Sequence, residues 1–175
     1  MWDQLQLVDA HPDSGELPQA GVLVALYEDD NAEIRVVLTK RPDTMPTHAG
    51  HISFPGGRPH PGDGGPVGTA IREAQEEVGI DPEQVTVLGF LEPIDTVEYK
   101  LMVVPVVARV STPLNLIRSE REVERIYQPR LADLADPEQW AYVPWQSWKA
   151  WYYILDGATL WGATAHMVRQ LVGLS

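Results

Sequence analysis

The segment from Val67 to Ile80 restricts this 175-residue chain more than any other stretch. At 100° per residue, Val67, Ala70, Ile71, Ala74 and Val78 share an arc of roughly 100°, and Glu73, Glu76 and Glu77 share a separate arc about as wide. A helix patterned this way buries one flank and gathers carboxylates on another. Glu73 pairs with Glu76 at i, i+3 and with Glu77 at i, i+4, so like charges cost a few tenths of a kcal/mol per pair unless something neutralises them. Arg72, one turn before Glu76, relieves part of that repulsion. A hard divalent cation with oxygen ligands would relieve the rest, whereas the plain alternative for this helix by itself is a solvated acidic face.

Upstream stands Phe54-Pro55-Gly56-Gly57, inside a Gly/Pro-dense stretch from Pro55 to Gly68 that reads as one long loop. Gly79 follows the helix where a left-handed residue ends one, so a loop–helix–loop unit is expected. Strands are expected at Gly21–Tyr27 and Ile34–Thr39, joined as a hairpin by the polar turn Glu28 to Ala32. Further β-type runs lie at Val85–Leu91, Lys100–Val110 and Glu122–Gln128, and Pro105, which has no N–H for the ladder, should bend its run, bulge it or place it at an edge. Helices are expected at Thr69–Val78, Arg130–Leu134 and Gly162–Leu171. With strands dominant and helices between them, the expected class is α+β, a mixed sheet covered by a few helices.

Composition excludes several functions. The 44% hydrophobic content suffices for the core of one domain, residues 1–175. A formal charge of −12 removes the positive field that duplex nucleic acid recruits. With no cysteine there is no disulfide, thiolate nucleophile or zinc–sulfur site, and a metal must take oxygen or imidazole ligands. The residues Met1 to Leu7 carry an acid and glutamines where a signal peptide carries basic and then apolar residues. The longest apolar stretches, Gly21–Tyr27 and Leu101–Ala108, fall well short of the roughly 20 residues that cross a bilayer. A soluble cytoplasmic protein with no membrane partner is the expectation.

Arg72-Glu73-Ala74-Gln75-Glu76-Glu77-Val78-Gly79-Ile80 resembles the box of the Nudix hydrolases, GX5EX7REUXEEXGU, with Ala74 in place of the bulky aliphatic U. Gly57 and Asp63 fit GX5E with Asp for Glu, and the following spacer is one residue longer than the pattern, which a loop absorbs cheaply. Leu38-Thr39-Lys40-Arg41 followed by His48 to Gly57 is similar to the motif LLTXR(S/A)X3RX3GX3FPGG of the coenzyme A pyrophosphatase branch. Leu38, Thr39, Arg41, Gly50 and the FPGG tetrad match; Val37, Pro42 and Pro46 depart, and Pro46 replaces an arginine. Glu122-Val123 and Leu160 to Ala165 also look like this branch.

The resemblance implies an α/β/α sandwich around a mixed sheet and a Mg²⁺- or Mn²⁺-dependent diphosphatase. Its substrate would be coenzyme A or an acyl ester, cut to 3′,5′-ADP and 4′-phosphopantetheine or its acyl form. Glu73, Glu76 and Glu77 would hold the metal, with the Gly57 carbonyl as a further ligand, and Arg72 would orient the glutamates. The general base would be Glu76 or Glu77 in the box, or Glu120 or Glu122 on a later loop, with Glu122 preferred for its position before Val123. Lys40, Arg41, Gly56 and Gly57 would meet the substrate, although Lys40 and Arg41 also read as surface charges. Pro46 keeps open a different nucleoside diphosphate derivative, a dinucleotide or nucleotide sugar. A non-catalytic ligand-sensing domain on the same scaffold is the third reading.

Other residues admit two readings each. His48, His51 and His60 could ligate metal, or hydrogen-bond within loops. Trp140, Trp145, Trp148, Trp151 and Trp161, with Tyr142, Tyr152 and Tyr153, could stack on adenine, pack a core or form a homodimer interface. Asp63 could instead cap local backbone.

Overall fold

The computed structural model describes residues 2–8, 19–45, 47–96, 101–145 and 148–174. In chain order these include β1 (Gln19–Glu28), β2 (Ile34–Val36), β3 (Leu38–Lys40), β4 (Ile52–Ser53), β5 (Gly56–Gly57), α1 (Pro66–Val78), β6 (Val85–Phe90) and β7 (Ile94–Thr96). They continue with β8 (Leu101–Val110), β9 (Arg125–Tyr127), α2 (Leu131–Leu134), β10 (Trp140–Trp145), β11 (Trp148–Leu155), β12 (Ala158–Trp161) and α3 (Gly162–Leu171).

The main sheet has the order β2-β1-β8-β6, with β5 also paired to β1 and β7 to β8. Only β1 and β8 run parallel, from Gln19↔Met102 to Leu26↔Arg109, so the sheet is mixed. Both central strands are near-continuous apolar runs because each is covered on two faces. Leu23 and Ala25 face Ala70, Ala74 and Val78 of α1; Val24 and Leu26 belong to the opposite core with Ala165, Val168 and Leu171 of α3. The result is the expected α/β/α arrangement, to which two three-stranded sheets, β4-β3-β9 and β10-β11-β12, are added.

Helix α1 buries the flank that its periodicity specifies. It begins at Pro66, earlier than the apolar pattern indicates, because proline suits a first helical turn that has no N–H to satisfy. It ends at Gly79, whose φ of 73° lets the Gly79 N–H reach the Gln75 carbonyl at 3.0 Å.

Two sequence expectations are corrected here, and a third is narrowed to one of its alternatives. The run Ile34–Thr39 is not one strand: it divides at Val37, and β2 stays with β1 while β3 joins β4 and β9. Ile34, Val36, Val37, Leu38 and Thr39 are all buried, divided between the two sheets. The Pro55–Gly68 stretch is not all loop, since Gly56 and Gly57 pair with Val22 and Gly21. Pro105 lies in an interior strand and not at an edge, opposite the point where the partner of β8 changes from β6 to β7; there its carbonyl accepts from Leu91 N–H at 3.1 Å. Lys100 and Pro46 lie outside the described residues.

Part of the aromatic cluster is core. Trp140 is buried, donates from Nε1 to the Leu134 carbonyl at 2.9 Å and meets Tyr153 edge-on at 5.3 Å. The guanidinium of buried Arg169 lies 3.9 Å from the Trp151 ring centroid and 5.3 Å from that of Trp140, tying α3 to the small sheet through cation–π contacts. Trp145, Trp148 and Ile154 remain exposed. Among the described residues no helix is long and apolar enough to cross a membrane.

Candidate active site

The carboxylates of α1 do not share one exposed flank. Glu77 is only 5% exposed, Glu73 is half-buried, and the Glu76 side chain is 53% exposed at the rim. One carboxylate oxygen each from Glu73, Glu77 and Glu122 lies within 4.8 Å of the others. Glu122 reaches the helix because its loop answers the unpaired carbonyls at the C-terminal end of α1: Ile117 N–H donates to Val78 O at 2.9 Å, and Ser119 N–H to Glu77 O at 2.8 Å. Glu122 N–H in turn donates to Ser119 O at 3.1 Å.

Burial, followed by the charges of Glu73 and Glu122, pushes the Glu77 carboxyl up to about 8; nearby Arg41 and the Gly56 N–H act in the opposite direction without cancelling it. Glu73 is also raised, chiefly by burial, although Arg72 opposes this. Gly57 makes room for Glu73, since a Cβ at that position would sit 2.6 Å from the Glu73 carboxyl carbon. This all-oxygen set of donors, short of positive charge, fits Mg²⁺ or Mn²⁺ and would serve a soft metal poorly.

Arg72 holds the set in position. Its Nε and an Nη donate to both Asp63 oxygens at 2.9 and 3.1 Å, and its remaining contacts reach Glu73 at 2.9 Å, Glu76 at 3.2 Å and the Arg58 carbonyl at 3.1 Å. Asp63 also accepts from Thr69 Oγ1 and from His60 N–H, each at 2.8 Å. These bonds, that from Arg72 above all, hold the Asp63 carboxyl well below the usual carboxylate range. Asp63→Asn is expected to leave the melting curve cooperative and lower kcat roughly tenfold, the scale seen when a residue that orients metal-binding groups is altered. Steady-state kinetics beside a thermal melt checks this, and an unchanged kcat would contradict it.

Strand β5, against which Glu73 and Glu77 lie, also lines a cleft of about 810 Å³. Gly56 and Gly57 line this cleft with Arg41, Arg58, His51 and Trp161. The Arg41 Nε is buried and makes no hydrogen bond among the described residues, leaving a donor suited to an anionic oxygen.

A family model described as the NUDIX domain matches residues 17–148. The chain belongs to the Nudix hydrolase family. It is 36% identical over 163 residues to the protein called "Uncharacterized Nudix hydrolase NudL" of Cronobacter sakazakii, a match covering 87% of this chain and 80% of that one. It is 39% identical over 122 residues to "Nudix hydrolase 15, mitochondrial" of Arabidopsis thaliana, covering 69% of this chain but only 42% of the plant protein. Among solved structures, a C. elegans Ap4A hydrolase in a binary complex superposes with a TM-score of 0.55 at 27% identity, over 65% of this chain and 81% of the other. A MutT/nudix family protein from Enterococcus faecalis does so at 0.60 and 17% identity, over 93% and 63%, and shows the shared fold.

Within this Nudix chain the residues named from sequence are distributed unevenly. Arg72, Glu73, Glu77 and Glu122 come together; Glu76 is not among the three close carboxylates and meets the group through Arg72. Gly56, Gly57 and Arg41 line the cleft, whereas Lys40 pairs with Glu124 at 2.9 Å and Asp43 at 3.6 Å and does not line it. Glu120 lies 3.9 Å from Arg118, and its side chain is 86% exposed. His48 and His51 line the cleft, and His60 serves the Asp63 turn. Sequence reasoning passed over Arg58, although its place directly after Gly57 was a usable signal.

Proposed function

We propose that this Nudix chain, read as one domain over residues 1–175, hydrolyses the diphosphate linkage of coenzyme A or an acyl ester. The products would be 3′,5′-ADP and 4′-phosphopantetheine or its acyl form. The observation that carries the reading is that β5 meets both groups: Glu77 accepts from the Gly56 N–H and Glu73 packs on Gly57, while Arg41 and Arg58 line the cleft with the same two glycines. A diphosphate lying against Gly56 and Gly57 would meet both. The coenzyme A assignment draws support from Ile52, Ser53, Phe54, Gly56 and Gly57, which form a wall of the cleft and lie in the segment that resembles the coenzyme A branch.

Glu73, Glu77 and Glu122 would hold Mg²⁺ or Mn²⁺, with Glu76 at the rim and the Gly57 carbonyl completing the set. A cation bound there would offset the diphosphate charge and make hydroxide available near neutral pH. Arg72 fixes the glutamates, Arg41 and Arg58 bind phosphoryl oxygens, and Glu122 takes the proton from the attacking water. The second reading is a dinucleotide or another nucleoside diphosphate derivative; what favours it is the likeness to the C. elegans Ap4A hydrolase.

Chromatography of products from coenzyme A, acetyl-coenzyme A, a dinucleoside polyphosphate and a nucleotide sugar, with Mg²⁺ or Mn²⁺, tests the assignment. Consumption of the coenzyme A compounds ahead of the others is expected. Preference for the dinucleotide would transfer the chain to the second reading, and no turnover at all would remove catalysis.

A further inference from the structure

Trp145, Trp148 and Trp161 are each more than half exposed, at 57%, 58% and 51%. Of the three, only Trp161 lines the cleft. An indole left this open forgoes the burial that ordinarily repays its large apolar surface, and it invites a flat partner. The backbone of Trp161 is well held: it ends β12, pairs with Tyr152 and passes directly into α3. Its ring meets the His51 imidazole at 4.9 Å with planes 67° apart, and His51 stands 5.4 Å from His48. Rings meeting at such an angle make a corner, not a closed stack. Burial above all, with His48 and Arg41 adding to it, holds the His51 imidazole below its usual pKa, so this corner is a neutral aromatic surface with polar nitrogens.

The same cleft has a different character at β5, where Gly56 and Gly57 back onto the carboxylates and Arg41 and Arg58 carry positive charge. Its volume of about 810 Å³ is far more than a diphosphate fills and lies within the range that takes a drug-sized ligand. The cleft thus offers cationic donors for anionic oxygens and, beside them, a planar neutral surface.

We propose that Trp161, steadied by His51, is the stacking platform for the base of a nucleoside diphosphate substrate, and that it sets the preference for base-bearing over base-free diphosphates. The identity of the phosphate end rests on the hydrolase reading above; the stacking platform stands on the cleft geometry.

The test compares hydrolysis of a diadenosine diphosphate with that of its abasic counterpart, two ribose units joined by the same linkage. Trp161→Ala is expected to lower the ratio of kcat/KM between these two substrates by roughly tenfold, mainly through KM, because stacking one base on an aromatic ring is worth about that factor or more. Trp161→Phe should restore most of it. A ratio left unchanged by Trp161→Ala, or one not recovered by Trp161→Phe, overturns the proposal. Calorimetric titration with ADP separates the two readings if the wild-type protein hydrolyses neither substrate. ADP binding that weakens roughly tenfold in Trp161→Ala keeps the platform and discards the hydrolase, while equal affinity for both proteins, or no binding to either, discards the platform as well.

Discussion

Replacing Glu77 by glutamine is expected to lower kcat by about 10²-fold or more while stabilising the metal-free protein at alkaline pH. Both effects follow from one arrangement. The Glu77 carboxyl is buried beside Glu73 and Glu122, and Arg41 and the Gly56 N–H offset the crowding without cancelling it. Glutamine keeps the shape of the protonated acid and removes the charge that a cation requires. At pH 9, where Glu77 is ionised in both states, the folded wild type carries a penalty set by the gap between its ordinary value of 4.5 and about 8, on the order of 5 kcal/mol, that the variant does not. In a chain of this size a penalty of that order is worth roughly 10 °C in Tm. Calorimetry at pH 9 with a chelator, paired with turnover measured at saturating Mg²⁺, reads both quantities. A variant that loses activity without gaining stability would mean that Glu77 is not under repulsion; one that keeps its activity would remove it from the metal-binding set.

The second large effect is a dependence of stability on pH that changes when a divalent ion is added. In the unfolded chain Glu77 ionises near its ordinary value of 4.5, and in the folded chain near 8. Between those values the folded state holds a proton that the unfolded state has released, so raising the pH favours unfolding. Metal-free protein should therefore lose Tm steadily from about pH 4.5 to about pH 8 and flatten beyond, apart from other titrations. A cation occupies the place of that proton, so the stabilisation from millimolar Mg²⁺ or Mn²⁺ should be small at pH 5 and grow as the pH rises. Melting curves from pH 5 to 9, with chelator and with Mn²⁺, provide the comparison. An ion-induced increment equal at pH 5 and pH 8 would show that the cation binds elsewhere.

The readable parts of the fold were those in which neighbours along the chain decide the outcome. The apolar flank of α1, its stop at Gly79 and the whole of α3 are local consequences of spacing and of glycine. Central strand β1 was legible because burial on two faces demands an unbroken apolar run. The two-residue strand β5 carries no such pattern; it is a strand only because β1 lies beside it. The division at Val37 depends on two sheets competing for adjacent residues, and the tolerance of Pro105 depends on a break in the strand across from it. The aromatic residues from Trp140 to Trp161 form three strands whose rings meet quite different fates: Trp140 enters the core, Trp148 stays exposed and Trp161 lines the cleft. Nothing in the immediate neighbourhood of these residues distinguishes them.

The order of residues along the chain determined that a carboxylate-bearing helix would follow a glycine loop, because helical periodicity and backbone freedom act over a few residues. Only the packed molecule decided which acids would meet: it turned Glu76 outward, buried Glu77 and brought Glu122 from a distant loop. Charge repulsion, burial and coordination depend on distance through space, and between Glu73 and Glu122 that distance is set by hydrogen bonds from the Ile117–Ser119 backbone to the end of α1.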